Sequence, residues 1–541
     1  MKLLILSIFA LSILNALAVT HFEKLARGRD VLCVNADNDH YFKTNCMAAF
    51  LPSEKRWSED GAKRYLDIIT CGNKVTHLFM CPIGQRANYD SKVCDPIWMA
   101  IDEAKKRGLE PDQWPVNAKK LYDKGIDIYK VWCDYAREKG NVSLWISQRM
   151  NDVHYVDKPW NIRTNRFWYE NARFHRRPDH DRGKAGPWTD HALDYAHKEV
   201  RDFQFNIFKE LVDRYDADGF ELDWMRFWEH LSPGKERELS YVLTDFIRMC
   251  RDYTKSVSKK RGHPIYLSVR VPTLYKAALD FGFDPVTWAR EGLVDMIAIA
   301  NFWSAVDFDF DSASWVDLIK KANPDVAVVA SAANNIQAYR GTVPMDIEAF
   351  CAWGDNAYSG NVDGLYLFNV SYLPYETQKT IYEKGLSKND CMKKSRRYVV
   401  TYHDCVKNPE DASRQLPSPG KKDIVLNIKI AHPKGKIVRS VISYDNKVVA
   451  PKVELNGFKS VSIKELNAKC DKYGRSAKKV FEYTFPAEAA VTGYNKLYVA
   501  AVKGRANLIW AEIAEIAEIA VEVLVAGQSK CNYGQVKCNL V

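Results

Sequence analysis

Short apolar runs recur eight times along the chain through residue 368, and segments with an amphipathic, helix-like pattern separate them. The runs are rich in β-branched and aromatic residues, which favours β-strands. They occupy residues 31–35, 75–80, 142–146, 219–224, 265–269, 296–300, 326–330 and 364–368. Eight alternations of strand and helix predict an α/β fold, a (β/α)8 TIM barrel, over residues 24–388. A doubly wound open sheet is the alternative, but no G-x-G-x-x-G follows the first run, which counts against a dinucleotide-binding fold.

The hydrophobic pattern changes near residue 395, where short runs alternate apolar and polar positions. These runs occupy residues 397–402, 424–430, 438–444, 496–502 and 520–525. A β-only pattern predicts an all-β sandwich, which we place at residues 395–527 and expect to be an accessory domain. The triplet Ala-Glu-Ile occurs three times over residues 511–519. A three-residue period fits neither a strand nor a helix, and no function follows from it.

Residues 1–18 have the pattern of a secretory signal peptide, with Lys2, an apolar core over 3–14 and the cleavage site Ala16-Leu17-Ala18. The core is too short to span a bilayer comfortably, and no later stretch is long and apolar enough. We therefore expect a secreted or periplasmic protein without a membrane span. Export favours disulfides among the 13 Cys, although an odd count leaves at least one outside any pair within the chain. Residues 528–541 are predicted to be a tail that contains Cys531 and Cys538.

Composition narrows the classes of partner. The chain has 541 residues, which is enough for two or three domains. Its net charge of +10 is spread along the chain without a basic run, which argues against nucleic-acid binding. No C-x-x-C pair occurs, which argues against a thiolate zinc site.

The most distinctive stretch is DGFELDWMRF at residues 218–227. Glu221 and Asp223 are two positions apart in the fourth predicted strand, so their side chains share one face. Two neighbouring carboxylates disfavour each other's ionisation, and burial adds to that cost. Such pairs occur where acid–base or nucleophilic chemistry needs them. The structural alternative is an ion-pair cluster, neutralised by Arg226, that closes the barrel.

Polar and aromatic residues also follow the other predicted strands. Because the active sites of TIM barrels lie at the carboxyl ends of the strands, we expect these residues to converge on one mouth. The candidates for substrate binding are Asp37, Arg149, Asn151, His154, Trp224, Arg226, Arg270, Asn301 and Trp303. Amides, arginines, carboxylates and indoles suit a polyhydroxylated substrate, and the arginines favour an acidic or sulfated sugar.

Several motifs resemble those of the glycoside-hydrolase-like TIM-barrel proteins of bacterial polysaccharide degraders. They are residues 218–227, RMNDVH at 149–154, RVP at 270–272 and GFD at 282–284. The resemblance covers about residues 30–385 and implies a glycoside hydrolase that acts on a polysaccharide or oligosaccharide. Residues 218–227 also resemble the chitinase-type D-G-x-D-x-D-W-E motif. However, Glu221 replaces an Asp, and Met225 stands where the catalytic Glu belongs, which argues against substrate-assisted chemistry.

Most glycosidases use two carboxyl groups, one as acid and one as nucleophile or base. Asp223 is the predicted nucleophile or base, kept ionised by Arg226 or Arg270. Glu221 is the predicted acid, because its neighbour's charge favours its protonated form. In the alternative, Glu221 orients Asp223 through a shared proton, and Asp307 in the loop after the sixth strand is the acid. No metal or other cofactor is expected.

Two other functions compete with this one. A metal-dependent hydrolase would draw its ligands from Asp37, Asp39, His40, His77 and His154. The first strand has no H-x-H, however, and the chain has no H-E-x-x-H. A non-catalytic glycan-binding protein would bind sugar at the same mouth without cutting it, which the missing Glu of the chitinase-type motif would allow.

Overall fold

The computed structural model describes residues 21–43, 55–158, 160–181, 187–302, 306–401, 405–412, 414–469, 471–474 and 476–516. The predicted signal peptide, the predicted run at 520–525, the predicted tail at 528–541 and Trp303 lie outside the described residues. No helix within the described part of the chain is both long and apolar enough to cross a membrane.

Eight parallel strands close into a barrel, as the sequence predicts. The strands before the eighth are β1 Val31–Ala36, β2 His77–Ile83, β3 Ser143–Arg149, β4 Gly219–Asp223, β5 Tyr266–Pro272, β6 Met296–Ala300 and β7 Ala327–Ala332. A hairpin of β8 Asn335–Ala338 and β9 Gly341–Pro344 follows, and β10 Gly364–Leu367 is the eighth barrel strand. Each strand pairs with the next in this order, and β10 pairs with both β7 and β1. The prediction of a TIM barrel is confirmed.

Helices cover the outside of the barrel. The longer ones are Glu59–Ile69, Met99–Lys106, Gln113–Asp123, Ile128–Lys139, Lys198–Arg214, Ser240–Arg261, Ser312–Ala322, Ile347–Ser359 and Tyr375–Lys384. The shorter ones are His21–Ala26, Arg166–Glu170, Tyr275–Asp280, Pro285–Arg290 and Lys388–Lys393. Local signals fix their ends: Asp127 accepts hydrogen bonds from the first backbone N–H groups of Ile128–Lys139, and Gly140 ends that helix at a φ of +62°.

The inside of the barrel is built in layers. The Trp145 ring fills the lower part. It fits there because Gly219, on the neighbouring strand, has no side chain; a Cβ at that position would lie only 2.4 Å from the ring. Above this apolar layer, Glu221 lies level with Ser147 on one side and Ser268 on the other. Asp223 is in the next layer, level with Arg149 and Arg270. The barrel is therefore plugged by apolar side chains below and is polar at its carboxyl-terminal mouth.

A second domain of antiparallel strands follows the barrel. Its strands are β11 Arg396–Val399, β12 Ser418–Pro419, β13 Ile424–Ile430, β14 Ile437–Tyr444, β15 Val453–Leu455, β16 Phe458–Lys459, β17 Ser462–Leu466, β18 Lys479–Phe485, β19 Gly493–Val499 and β20 Asn507–Ile516. One sheet has the order β11-β20-β14-β18-β17, with β12 on β20, and the other has the order β13-β19-β15-β16. The prediction of an all-β sandwich is confirmed.

The Ala-Glu-Ile repeat is part of strand β20 as far as the described residues extend. Its glutamates Glu512 and Glu515 are buried and pair with Arg397 and Arg396, each at 2.7 Å. Arg396 also binds Asp355 on the barrel helix Ile347–Ser359 at 3.0 Å. The repeat thus supplies acids to a buried ionic network that joins the two domains.

Candidate functional site

Glu221 occupies the middle layer of the barrel and is completely buried. Its Oε1 accepts hydrogen bonds from Ser147 Oγ at 2.7 Å and from Tyr366 Oη at 3.0 Å. Burial and, to a smaller extent, the charge of Asp223 raise the pKa of Glu221 to about 8, although Arg270 and the two hydroxyl donors oppose the shift. Glu221 is therefore a protonated carboxyl group at neutral pH.

Asp223 lies one layer closer to the mouth. Arg270 Nη1 donates to both of its carboxylate oxygens, each at 2.9 Å. The backbone N–H of Met225 donates to Asp223 Oδ1 at 3.0 Å. Of Arg226 and Arg270, the two arginines named as partners of Asp223, Arg270 is the one that binds it. The guanidinium of Arg270 is in turn held 4.2 Å from the ring centroid of Phe368.

Arg226 crosses the mouth to the opposite side. It donates to Asp37 Oδ2 at 3.3 Å and to His154 Nε2 at 3.4 Å, and Asp37 is also bound by Arg149. Burial alone would raise the pKa of Asp37, but Arg149 and Arg226 hold it below its ordinary value. The ion-pair cluster considered as the structural alternative thus exists, but Arg226 neutralises Asp37, after β1, whereas Arg270 pairs with Asp223 of β4.

His154 links Asp152 to Arg226 at the mouth. Its Nδ1 lies 2.5 Å from Asp152 Oδ1, and Arg149 binds the other oxygen of Asp152. Burial lowers the pKa of His154 to about 4 against the pull of Asp152, so the ring is neutral at neutral pH. Nδ1–H then donates to Asp152, and Nε2 accepts from Arg226.

Three arginines and three aspartates make this mouth nearly electroneutral. Arg149 and Arg226 balance Asp37 and Asp152, and Arg270 balances Asp223, while Glu221 is protonated and His154 neutral. All of these side chains are buried. A guanidinium group that is already paired with a carboxylate attracts an additional anion only weakly.

Other candidate residues do not join this cluster. Trp224 points away from the barrel interior and packs on Tyr195 and Phe246, with ring centroids 5.3 and 5.9 Å away. Asn151 hydrogen-bonds to the backbone of Leu193, through both Nδ2 and Oδ1. Asn301 is buried after β6, and no hydrogen bond from a described residue reaches its side-chain amide.

Asp307 lies in the loop after β6, and the contacts around it lead to the second domain. Its Oδ1 accepts from the backbone N–H of Asp309 at 2.8 Å. The adjacent Phe308 N–H donates to Thr401 Oγ1 at 2.9 Å, and Tyr494 Oη donates to Asp309 Oδ1 at 2.7 Å. The second domain therefore fixes the loop that carries this candidate acid.

A segment of the second domain also reaches the mouth directly. Cys405 packs with Met225, which is two residues after Asp223, and with Ala300, the last residue of β6. Two ion pairs anchor this segment over the barrel: Lys407 to Glu236 and Lys276 to Asp411, each at 2.6 Å. A barrel truncated at residue 390 would lack these contacts, and the accessory role of the second domain stays a prediction.

Four aromatic residues near the mouth, Trp188, Phe227, Trp228 and Phe302, form what we call the aromatic rim. The sequence did not predict it. Successive ring centroids are 6.3, 5.4 and 4.3 Å apart from Trp188 through Phe227 and Phe302 to Trp228. The rim adjoins the polar cluster, because Phe227 lies 4.9 Å from the His154 ring. Phe227 is buried, whereas Trp188, Trp228 and Phe302 are half-buried, and half-buried rings beside hydrogen-bonding groups provide surfaces on which a sugar ring can stack.

The described residues include one group whose atoms come close enough together for a metal: Asp37, Asp39 and His40, within 4.8 Å of one another. Asp37 already binds two guanidinium groups, and Asp39 binds Lys43 at 2.6 Å and Arg163 at 3.3 Å. A metal cation would have to displace these bound cations. The residues therefore do not fit a metal site.

Comparisons with known proteins leave the family open. No family model and no curated protein matches the sequence. Among solved structures, α-L-fucosidase isoenzyme 2 from Paenibacillus thiaminolyticus matches with 11% identity and a TM-score of 0.39, over 68% of this chain and 51% of that one. The chitinase ChiW from Paenibacillus sp. str. FPU-7 matches with 9% identity and a TM-score of 0.39, over 88% and 56%.

A third similar structure is the PgaB glycoside hydrolase domain from Bordetella bronchiseptica, with 10% identity and a TM-score of 0.40, over 66% of this chain and 99% of that one. The chain thus spans little more than half the length of the first two structures. TM-scores this low do not support a fold or a function for this chain. The barrel assignment therefore rests on the strand pairing itself.

Proposed function

We propose that the chain is a glycoside hydrolase whose reacting carboxylate is Asp223. The observation that carries the proposal is the contrast between two neighbouring carboxyl groups on β4: Arg270 binds Asp223 as a carboxylate, and burial keeps Glu221 protonated directly beneath it. Environments that push two carboxyl groups into opposite protonation states are what glycosidic bond cleavage requires. The motif resemblance over residues 218–227 points to the same chemistry.

In this proposal, Asp223 attacks the anomeric carbon or activates the water that does so. Glu221 holds a proton on Oε2, because Oε1 already accepts from Ser147 and Tyr366. That proton passes either to the leaving-group oxygen or into a hydrogen bond with Asp223. In the second case Asp307 is the acid.

Leaving-group dependence separates these two assignments. An aryl glycoside with a good leaving group needs no proton from the enzyme. If Glu221 is the acid, Glu221→Gln loses activity on a natural glycan and keeps it on the aryl glycoside. If Asp307 is the acid, Asp307→Asn shows this rescue and Glu221→Gln is poor on both substrates.

We propose that the aromatic rim and the mouth residues Asp37, Arg149, His154 and Arg226 bind the glycan. Because each arginine at the mouth already has an acidic partner, the charge balance favours an uncharged sugar over the acidic one expected from the sequence. A matched pair of substrates, a uronic-acid polysaccharide and its carboxyl-reduced form, tests this. Faster cleavage of the reduced form is expected.

A non-catalytic glycan-binding protein is the second candidate. The observation that favours it is the burial and pairing of the mouth aspartates, together with Met225 in place of an acid. A screen of soluble polysaccharides for binding and for new reducing ends distinguishes the two functions. Reducing ends are expected for the hydrolase, and retention without product would favour the binding protein.

We also propose that the protein is secreted or periplasmic. The support is the signal-like sequence at residues 1–18. N-terminal sequencing of protein from an exporting host should find a mature chain that starts after Ala18, and an uncleaved, cell-retained chain would contradict this.

A further inference from the structure

Two buried cysteines meet where the barrel joins the second domain. Cys351 is on helix Ile347–Ser359 and Cys391 is on helix Lys388–Lys393, and both side chains are fully buried. Both thiols are free in the structure, and the neighbouring Cys351 thiol is the largest cause of the raised pKa of the Cys391 thiol. Cys391 Sγ is also 3.0 Å from the point where a Cβ on Gly354 would stand. Gly354 is three residues after Cys351, on the same helix face, so the missing side chain makes room for Cys391 beside Cys351.

We propose that Cys351 and Cys391 form a disulfide that ties the last helix of the barrel to helix Ile347–Ser359, next to the start of the second domain. The helix that carries Cys351 also carries Asp355, which binds Arg396 at 3.0 Å and Tyr398 Oη at 2.8 Å. Only four residues separate Cys391 from Arg396, the first residue of β11. The covalent bond would therefore hold in place the point from which the second domain starts.

The reaction requires an external disulfide as oxidant, such as oxidised glutathione. The two thiols lose two protons and two electrons, the Sγ–Sγ bond forms, and the S–S bond of the oxidant breaks to give two thiols. Attack requires a thiolate. The hydrogen bond from Cys351, and then burial, raise the pKa of the Cys391 thiol. Few thiolates therefore exist in the folded protein, and we expect the bond to form during folding.

The test is peptide mapping of the full chain. Reduced, unfolded protein is refolded in a mixture of reduced and oxidised glutathione, its thiols are alkylated, and it is digested without reductant. A peptide pair joined through Cys351 and Cys391 is expected. If refolding yields no soluble protein, the same map is made on protein exported by an oxidising host. Alkylation of both thiols, or their pairing with other cysteines, would overturn the proposal.

Thermal unfolding gives a second readout. The oxidised protein should unfold on the order of 5 °C above the reduced protein, because the bond restricts the unfolded chain. This difference should be smaller in Cys351→Ser and in Cys391→Ser than in wild type. Cys250→Ser is the matched control, since Cys250 is fully buried on another helix and burial alone raises the pKa of its thiol. A difference in Cys351→Ser as large as in wild type would contradict the pairing. The proposal does not depend on the glycosidase function.

Discussion

The unusual protonation of Glu221 predicts a specific pH dependence of folding. In the unfolded chain its carboxyl group loses its proton near pH 4.5, whereas in the folded protein burial keeps the proton until about pH 8. Between these values folding therefore takes up one proton, so Glu221 makes the wild-type protein less stable as the pH rises. Glu221→Gln keeps the shape of the side chain and removes this titration. The stability of the variant relative to wild type should therefore increase across this window.

The size of the effect follows from the two pKa values. One pH unit corresponds to about 1.4 kcal/mol, so the difference between variant and wild type should grow by roughly 5 kcal/mol from pH 4.5 to pH 8. Above pH 8 the difference should stay constant. Other titrating groups are common to both proteins and drop out of the comparison.

Unfolding in denaturant at a series of pH values measures the difference, and infrared spectroscopy detects the proton itself. The C=O stretch of a protonated carboxyl group should be present at pH 7, absent in Glu221→Gln, and lost from wild type as the pH passes 8. Asp223→Asn is the control, because removing the neighbouring charge should move the loss to lower pH. Parallel stability curves for wild type and Glu221→Gln, with no such band, would refute the reasoning.

Three further predictions concern the mouth and the domain junction. Arg270→Met removes the guanidinium that binds both oxygens of Asp223 and should lower kcat/KM on a polysaccharide that wild type cleaves; an unchanged kcat/KM would mean that Arg270 does not act on the reacting group. Lys407→Met removes the 2.6 Å ion pair to Glu236 and should speed proteolytic cleavage within residues 405–412 several-fold, whereas an unchanged rate would show that this pair does not anchor the segment. Arg396→Met strands two buried acids and should cost about 3–5 kcal/mol; calorimetry that finds no loss would show that the junction network is dispensable.

The barrel could be predicted because its strands are buried, apolar and bounded by polar segments. Five of the eight predicted runs agree with the observed strands within two residues at both ends, and the main departures are the later ends of β2, β3 and β5, at Ile83, Arg149 and Pro272. These ends were missed because Pro82 and the charged residues Arg149 and Arg270 break an apolar pattern. The role of the Ala-Glu-Ile repeat could not be predicted. Its buried acids Glu512 and Glu515 are neutralised by arginines that are more than 100 residues away in the sequence.

The site was predictable only in part. Side chains in a strand alternate between its two faces, which places Glu221 and Asp223 on one face and Trp224 on the other. The prediction that Trp224 lies at the mouth could therefore have been avoided. The choice between Arg226 and Arg270 as the partner of Asp223 could not be made from the sequence, because Arg226 is closer in sequence and Arg270 is closer in space. The wall formed by Cys405 comes from another domain and has no local signal.

The central claim is that Asp223 reacts with the glycan, and Asp223→Asn tests it most directly. The substitution is nearly isosteric and removes the charge that Arg270 binds. Wild type and variant are compared for release of reducing ends from a polysaccharide that wild type cleaves, and for binding of the same polysaccharide. We predict a loss of turnover on the order of 10³-fold or more with binding retained. Turnover within a few-fold of wild type would contradict the account and leave the β4 carboxyl groups with a purely structural role.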